Sequence, residues 1–167
     1  MRFLTFSLIA LLFAGCAGYH IGPVRPKFMS GVETLAVPNF KNQTLIPRVE
    51  ALVAGTVESQ IQQDGTYKIA SSDKADAIVE GRIVEIRRNS ARSVHGDVLS
   101  TREYRLTIRI EYSVTKRDTG VQLVHRTVTG DTSFFVGGDV VSDERQAIPL
   151  AAKQAAINLV SQIAEGW

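Results

Sequence analysis

REYRLTIRIEYSVT, residues 102–115, alternates apolar and polar side chains over its whole length. Tyr104, Leu106, Ile108, Ile110, Tyr112 and Val114 take one parity, and Arg105, Thr107, Arg109, Glu111 and Ser113 the other. A period of two is the signature of a strand with one face in a core and one in water. Polarity so regular on the outer face means that only one side of the sheet is covered, which excludes a doubly covered parallel sheet. Lys116 to Gly120, KRDTG, then reads as a hairpin turn, and Val121 to Val136 returns as a strand with Val124, Val128 and Phe134 as candidate core residues. The two strands are expected to pair antiparallel, and Gly137-Gly138-Asp139 ends the sheet.

Upstream, Ile78 to Arg88 carries the same kind of pattern, but its alternation slips by one near Gly81 to Val84, as at a bulge. Asn89 to Asp97 is polar and reads as a loop or long hairpin tip. Thr34 to Phe40 is a short apolar strand with Pro38 near its end, because proline lacks a ladder donor. Lys41 to Thr44 is a polar turn, and Pro47 suits the first turn of a helix. That helix is expected over about Pro47 to Gln63, since Val49, Leu52, Val53, Val57 and Ile61 form one stripe; Asp64-Gly65 ends it, and Tyr67 to Ile69 is a brief strand or a return loop.

The closing helix has Ile148, Ala152, Ala155, Leu159 and Ile163 as its stripe and runs to about Ala164. Asp143 with Gln146 three residues later suggests a capping box, but Pro149 inside the pattern favours a start at the proline itself. Alanines 151, 152, 155 and 156 would let it pack closely, with Trp167 folding back over its end. Two helices can cover one face only, so the expected fold is α+β, a two-layer α/β sandwich. It is expected to hold a mixed sheet of about four strands with both helices on one side, in the order β-α-β-β-β-α.

The N-terminus sets the address. Arg2 precedes an apolar run from Phe3 to Phe13, too short to span a membrane at about 20 residues, and the chain's one cysteine follows at 16. Leu12-Phe13-Ala14-Gly15-Cys16 resembles the bacterial lipobox, which implies cleavage before Cys16 and a diacylglycerol plus an N-acyl chain on that residue. More than one acyl chain gives stable anchoring at about 0.8 kcal/mol per buried methylene. Ala17 and Gly18 stand in place of the aspartate that commonly retains such lipoproteins at the inner membrane, so the resemblance implies the outer membrane, on its periplasmic side. Residues 1–15 are thus read as signal peptide, 16–30 as a tether rich in proline and glycine, and 31–167 as a single domain. With Cys16 acylated no thiol is left for disulfide or metal, and a net charge of +2 does not suit a nucleic-acid binder.

Several pieces taken in order resemble the LptE family of lipopolysaccharide-assembly outer-membrane lipoproteins. They are Cys16 followed by Gly18-Tyr19; Leu35 to Phe40 with Asn42 and Thr44; Pro47 to Glu50; Ala75-Asp76-Ala77 with Gly81; and a closing helix ending at Trp167. The resemblance implies a plug inside the LptD β-barrel that helps the barrel assemble and takes part in delivering lipopolysaccharide to the outer leaflet. A lipopolysaccharide contact would need cations for phosphates and carboxylates, and the candidates are Arg82, Arg87, Arg88, Arg92, Arg105 and Arg109. If the strands align, several would form one basic face. Equally, Glu80, Glu85, Glu103 and Glu111 could pair with them across strands and leave an ordinary solvated surface.

His20, His95 and His125 lie in tether, loop and strand without metal or nucleophile spacing, and Asp73, Asp76, Asp139 and Asp143 fit turns and caps. No catalytic residues, metal or cofactor are expected, and the chain reads as a non-enzyme. The alternative is a periplasmic regulatory or secretion-channel lipoprotein acting through protein–protein binding, whose members also open with an Ile/Leu-Ala-Val strand, an Asn-containing turn and a helix.

Overall fold

The computed structural model describes residues 25–92 and 102–166, apart from the side chains of residues 91, 92 and 102. The expectations for Cys16 and its leader, for the loop beyond Arg92 and for Trp167 lie outside the described residues. Among the described residues six strands and two α-helices follow in order: β1 Thr34–Ala36, β2 Lys41–Asn42, α1 Val49–Asp64, β3 Lys68–Ile69, β4 Ala77–Arg92, β5 Arg102–Lys116, β6 Gln122–Val136 and α2 Val140–Ala164. They form one mixed sheet in the order β3-β1-β4-β5-β6, with β2 also pairing on β4. The pairings among β1, β2, β3 and β4 are parallel, and β4-β5-β6 is an antiparallel meander. The fold class is the expected one, with six strands instead of four. The two extra strands are two-residue segments, too short to carry a period.

The alternation of β5 is realised residue by residue. Leu106, Ile108, Ile110, Tyr112 and Val114 are at most 1% exposed and lie under the helices, whereas Arg105 and Arg109 stand in solvent. Val49, Val53, Val57 and Ile61 of α1 meet Ile148, Ala152, Ala155, Leu159 and Ile163 of α2 in the same core. Tyr112 is buried, its hydroxyl 2.8 Å from Gln162 Oε1, and burial pushes its pKa up to about 12, so it remains a neutral donor. Among the described residues no helix is long and apolar enough to cross a membrane.

The first strand ends at Ala36 and not at Phe40, and three further boundaries differ from the sequence reading. The closing helix begins at Val140, with Asp139 as its cap: Asp139 Oδ1 accepts from the Val141 N–H at 3.0 Å. Asp143 instead accepts from the Gly137 N–H at 3.1 Å, so the expected capping box is not the start, and Pro149 lies inside the helix. The proline is tolerated because it faces solvent, where water can serve the Arg145 carbonyl it leaves unpaired, while Ala147, Ile148 and an Arg88–Glu144 pair hold the preceding turns. Next, β4 continues to Arg92, because β5 offers a ladder as far as Glu103 to what reads in isolation as a polar loop. Finally, Lys41-Asn42 is strand and not turn, drawn into parallel pairing with Arg82-Ile83.

The segment read as the end of the tether is packed on the domain. Met29 is fully buried, and Arg25 donates to the Thr66 carbonyl at 3.1 Å while its guanidinium lies 5.5 Å from the centre of the Tyr67 ring. Asp76 fastens β1 to β4: its Oδ2 accepts from the N–H groups of Glu33 and Thr34 and from Thr34 Oγ1, at 2.8–3.0 Å. Those bonds, the Glu33 N–H first, hold its carboxyl below the usual carboxylate range. This is a structural role, as the turn reading of Asp76 requires.

Candidate functional site: the open face of the sheet

Register decides which candidate cations meet. On β4, Ile83 pairs with Ile110, Glu85 with Arg109 and Arg87 with Thr107, the register slipping by one between Ile83 and Glu85. Val84 is therefore the extra residue of the bulge anticipated near Gly81 to Val84, and it reverses the parity of everything beyond it. Arg82 and Arg87 consequently share the uncovered face with Arg105 and Arg109 of β5. Arg88, opposite Leu106, turns to the helix side, where it pairs with Glu144 of α2 and lies 5.5 Å from the centre of the Tyr104 ring. Arg92 is paired through its backbone with Glu103.

The open face mixes charge signs. Arg82 Nε is 2.7 Å from Glu111 Oε2, Arg87 pairs with Glu85, and Arg109 Nη2 is 3.5 Å from the other oxygen of Glu85. Glu80, Glu103 and Asp131 add further carboxylates at positions of the same parity. Pairs this exposed contribute about 0–1 kcal/mol each, so they shape the field more than they stabilise the fold. Among the described residues Arg105 is the one cation of the four with no carboxylate partner, and it lies between Asn89 and Ser133 in register.

At the other end of this face, near Gly81, Lys41, Arg82, Glu80, Glu111 and His125 border a shallow depression of about 240 Å³. Its cations and carboxylates neighbour one another, which suits a polar contact surface better than a site for a strongly charged ligand. No cluster of three or more His, Cys, Asp or Glu able to hold a metal occurs among the described residues.

Two exposed apolar side chains stand out, one of them in a loop. The loop after β2 is tied by Asn42, whose Oδ1 accepts from the Thr44 N–H and Oγ1 and whose Nδ2 donates to the Ile46 carbonyl and to Glu50. Arg48 enters α1 at φ 63°, a left-handed conformation, and the loop holds Leu45 fully exposed. The other is Phe135, 62% exposed on the open face near the far end of β6. Only the loop geometry places Leu45 outside, whereas the parity that assigns Phe134 to the core already turns Phe135 to the open face.

Comparison with known proteins follows the same outline. A family model described as "LptE: Lipopolysaccharide-assembly" matches residues 32–163. No curated protein matches in sequence. Among solved structures, a protein from Xanthomonas campestris is similar at 14% identity with a TM-score of 0.54, covering 86% of this chain and 89% of its own. A minor lipoprotein from Acinetobacter baumannii has 12% identity and a TM-score of 0.52, with coverage of 81% and 94%. A PelC dodecamer from Paraburkholderia phytofirmans has 16% identity and a TM-score of 0.50, with coverage of 80% and 89%. At these identities the likenesses concern the fold.

Proposed function

Because the chain belongs to the LptE family of lipopolysaccharide-assembly proteins, we propose that it is an outer-membrane lipoprotein that plugs and helps assemble an LptD-like β-barrel and takes part in delivering lipopolysaccharide to the outer leaflet. The family match, spanning nearly the whole described domain, is the observation that carries this reading. The open face supports it: it is polar along β4, β5 and most of β6, mixed in sign, and unencumbered by helices, which suits the wet, polar interior of a large barrel. Acyl chains on Cys16 would supply retention on the periplasmic side. The protein works in this reading by binding and not by catalysis, and the family is not a cofactor-binding one.

Co-purification with a large outer-membrane barrel under gentle detergent extraction tests the proposal. A ring-forming oligomer of this chain with no barrel would instead favour the secretion-channel alternative. Within the plug reading the lipopolysaccharide contact is proposed at the arginines of β4 and β5, and the ion pairs narrow it to Arg105. Arg105→Glu is expected to weaken lipopolysaccharide binding roughly tenfold or more, the scale of one charge-assisted hydrogen bond. Adding Arg109→Glu should contribute less, since Glu85 already engages Arg109. Both variants should unfold within a few degrees of the parent, as exposed strand changes do. Binding by the folded double variant equal to that of the parent would assign these residues to the solvated surface.

Cys16→Ala in an exported chain is expected to release the protein from membranes into the periplasm while barrel binding persists, because the surface proposed to meet the barrel lies on β4, β5 and β6, far along the chain from Cys16. Fractionation followed by barrel pull-down measures both. Loss of barrel binding by the folded, soluble variant would make the lipidated segment part of the interface.

A further inference from the structure

β6 is the last strand of the sheet, and its outer side has no strand partner among the described residues. Which groups it presents there follows from the ladder. Lys116 N–H donates to the Val121 carbonyl, which sets the hairpin, and alternation of bonded and non-bonded pairs then makes Arg109 opposite Thr129 a non-bonded pair. An independent contact agrees: Asn158 Nδ2 of α2 donates to the Thr129 carbonyl at 2.7 Å, from outside the ladder. The N–H and C=O groups of Thr129, and by the same parity those of Asp131, Ser133 and Phe135, therefore point away from β5.

The proximal half of this edge is partly occupied. Asn158 takes the Thr129 carbonyl, and Arg126 reaches across to the Gly166 carbonyl at 3.5 Å. From Asp131 to Phe135 nothing among the described residues pairs with the outward backbone groups. Of the usual protections of an edge the charge of Asp131 is present there, but no proline, no lysine and no bulge interrupts the stretch, and Phe135 at its end is largely exposed.

We propose that the outer edge of β6 from Asp131 to Phe135 accepts an extended segment of a partner protein as a seventh strand. The position of α2 selects this occupant over a second copy of the chain. A Cβ on Gly130 would meet Ala151 O and Ala155 N at 2.2 Å, so the helix backbone lies directly over β6. Antiparallel pairing of two β6 edges about a twofold would bring two such helices to about the 4.8 Å strand spacing, whereas packed helices need about 8–10 Å. A segment with no helix of its own avoids that collision. Beneath the flank of α2 it must carry small side chains on the core-facing parity. On the open parity a cation suits the position opposite Asp131 and an apolar residue the position beside Phe135. Main-chain bonds supply the affinity in such additions, and those side chains the selectivity.

Hydrogen exchange read by mass spectrometry over the β6 peptide tests this, comparing the isolated full-length chain with the chain extracted from its own membranes in mild detergent. The outward amides of Asp131, Ser133 and Phe135 are expected to exchange rapidly in the isolated chain and about 100-fold or more slowly in the extract. Ser133→Pro removes one outward donor without touching the β5 ladder. It should leave the thermal midpoint nearly unchanged and abolish the added protection. Equal exchange in the two wild-type samples overturns the proposal, whether or not a barrel co-purifies, so it stands or falls apart from the plug reading. Protection retained in folded Ser133→Pro overturns it as well, and should that variant fail to fold, the wild-type comparison decides alone.

Discussion

Gly130→Ala is expected to destabilise the domain by about 3 kcal/mol, the upper end of the usual cost of overpacking or beyond it, and to lower the thermal midpoint by roughly 10 °C in a domain of this size. The added methyl group would meet Ala151 O and Ala155 N at 2.2 Å and the Ala155 methyl at 2.7 Å. Two of those three atoms belong to the α2 backbone, so no rotamer change relieves the contact. The helix must lift from the sheet, and Ala152, Ala156, Leu159 and Ile163, all at most 1% exposed, must lift with it. Shortening the neighbour does not help: Ala155→Gly in the Gly130→Ala background should recover little, because the peptide atoms remain. Denaturant unfolding of the parent and the two variants measures this, and a Gly130→Ala protein within about 0.5 kcal/mol of the parent would show that α2 does not sit on β6 as described.

The same contact shows what was legible in the sequence. Alanines at 151, 152, 155 and 156 announce a closely packed helix, but the residue that receives them, Gly130, reads only as a gap in the pattern of β6. β5 was legible because it lies between two long neighbours with one face fully covered, so burial and parity coincide over its whole length. β2 and β3 have two residues each and are strands only through parallel partners that are distant in sequence, which no local period encodes, whereas β1 shows in its apolar run although it ends at Ala36 and not at Phe40. The start of α2 misled for a related reason. Local propensity places the helix end at Pro149, while the Arg88–Glu144 pair and the buried Ala147 and Ile148 hold two further turns that only the folded sheet can support.

For the candidate site the decisive residue is Val84, which carries no functional chemistry. Strict alternation onward from Arg82 would point residues 84, 86 and 88 to the open side, exposing Ile86 and Arg88 and burying Arg87. One extra residue exchanges them: Arg87 joins Arg105 and Arg109, and Arg88 is committed to Glu144. The slip was visible in the sequence, but its effect on the six candidate arginines depends on whether it falls at 81 or at 84, and only register settles that. Two of the three open-face pairs, Arg82–Glu111 and Arg109–Glu85, are likewise cross-strand properties, and together with the Arg87–Glu85 pair within β4 they decide between the two surfaces the sequence left open, leaving Arg105 as the available cation.

Gly81→Val should destabilise by about 2–3 kcal/mol, again as overpacking, but with a remedy that Gly130 lacks. A Cβ at Gly81 would fall 2.4 Å from Phe40 Cε2 and 2.6 Å from Cδ2, so the obstruction is the ring of one side chain. Phe40 is 3% exposed and is held in place because the next two residues, Lys41 and Asn42, are paired with Arg82 and Ile83; the ring cannot swing out without breaking that short ladder. Phe40→Leu vacates part of the space at its own cost of lost burial. The double variant should therefore be more stable than the sum of the single losses allows, by about 1 kcal/mol or more of coupling. Strict additivity would mean that the valine is accommodated by movement elsewhere in β4. Because Asn42 and Thr44 organise the loop that exposes Leu45, displacing Phe40 should also loosen that loop, and the single variant should show faster exchange of the Thr44 amide than the double variant does. Glycine at 81 is thus explained by the aromatic ring above it and not by a turn or by the bulge, which lies three residues further on.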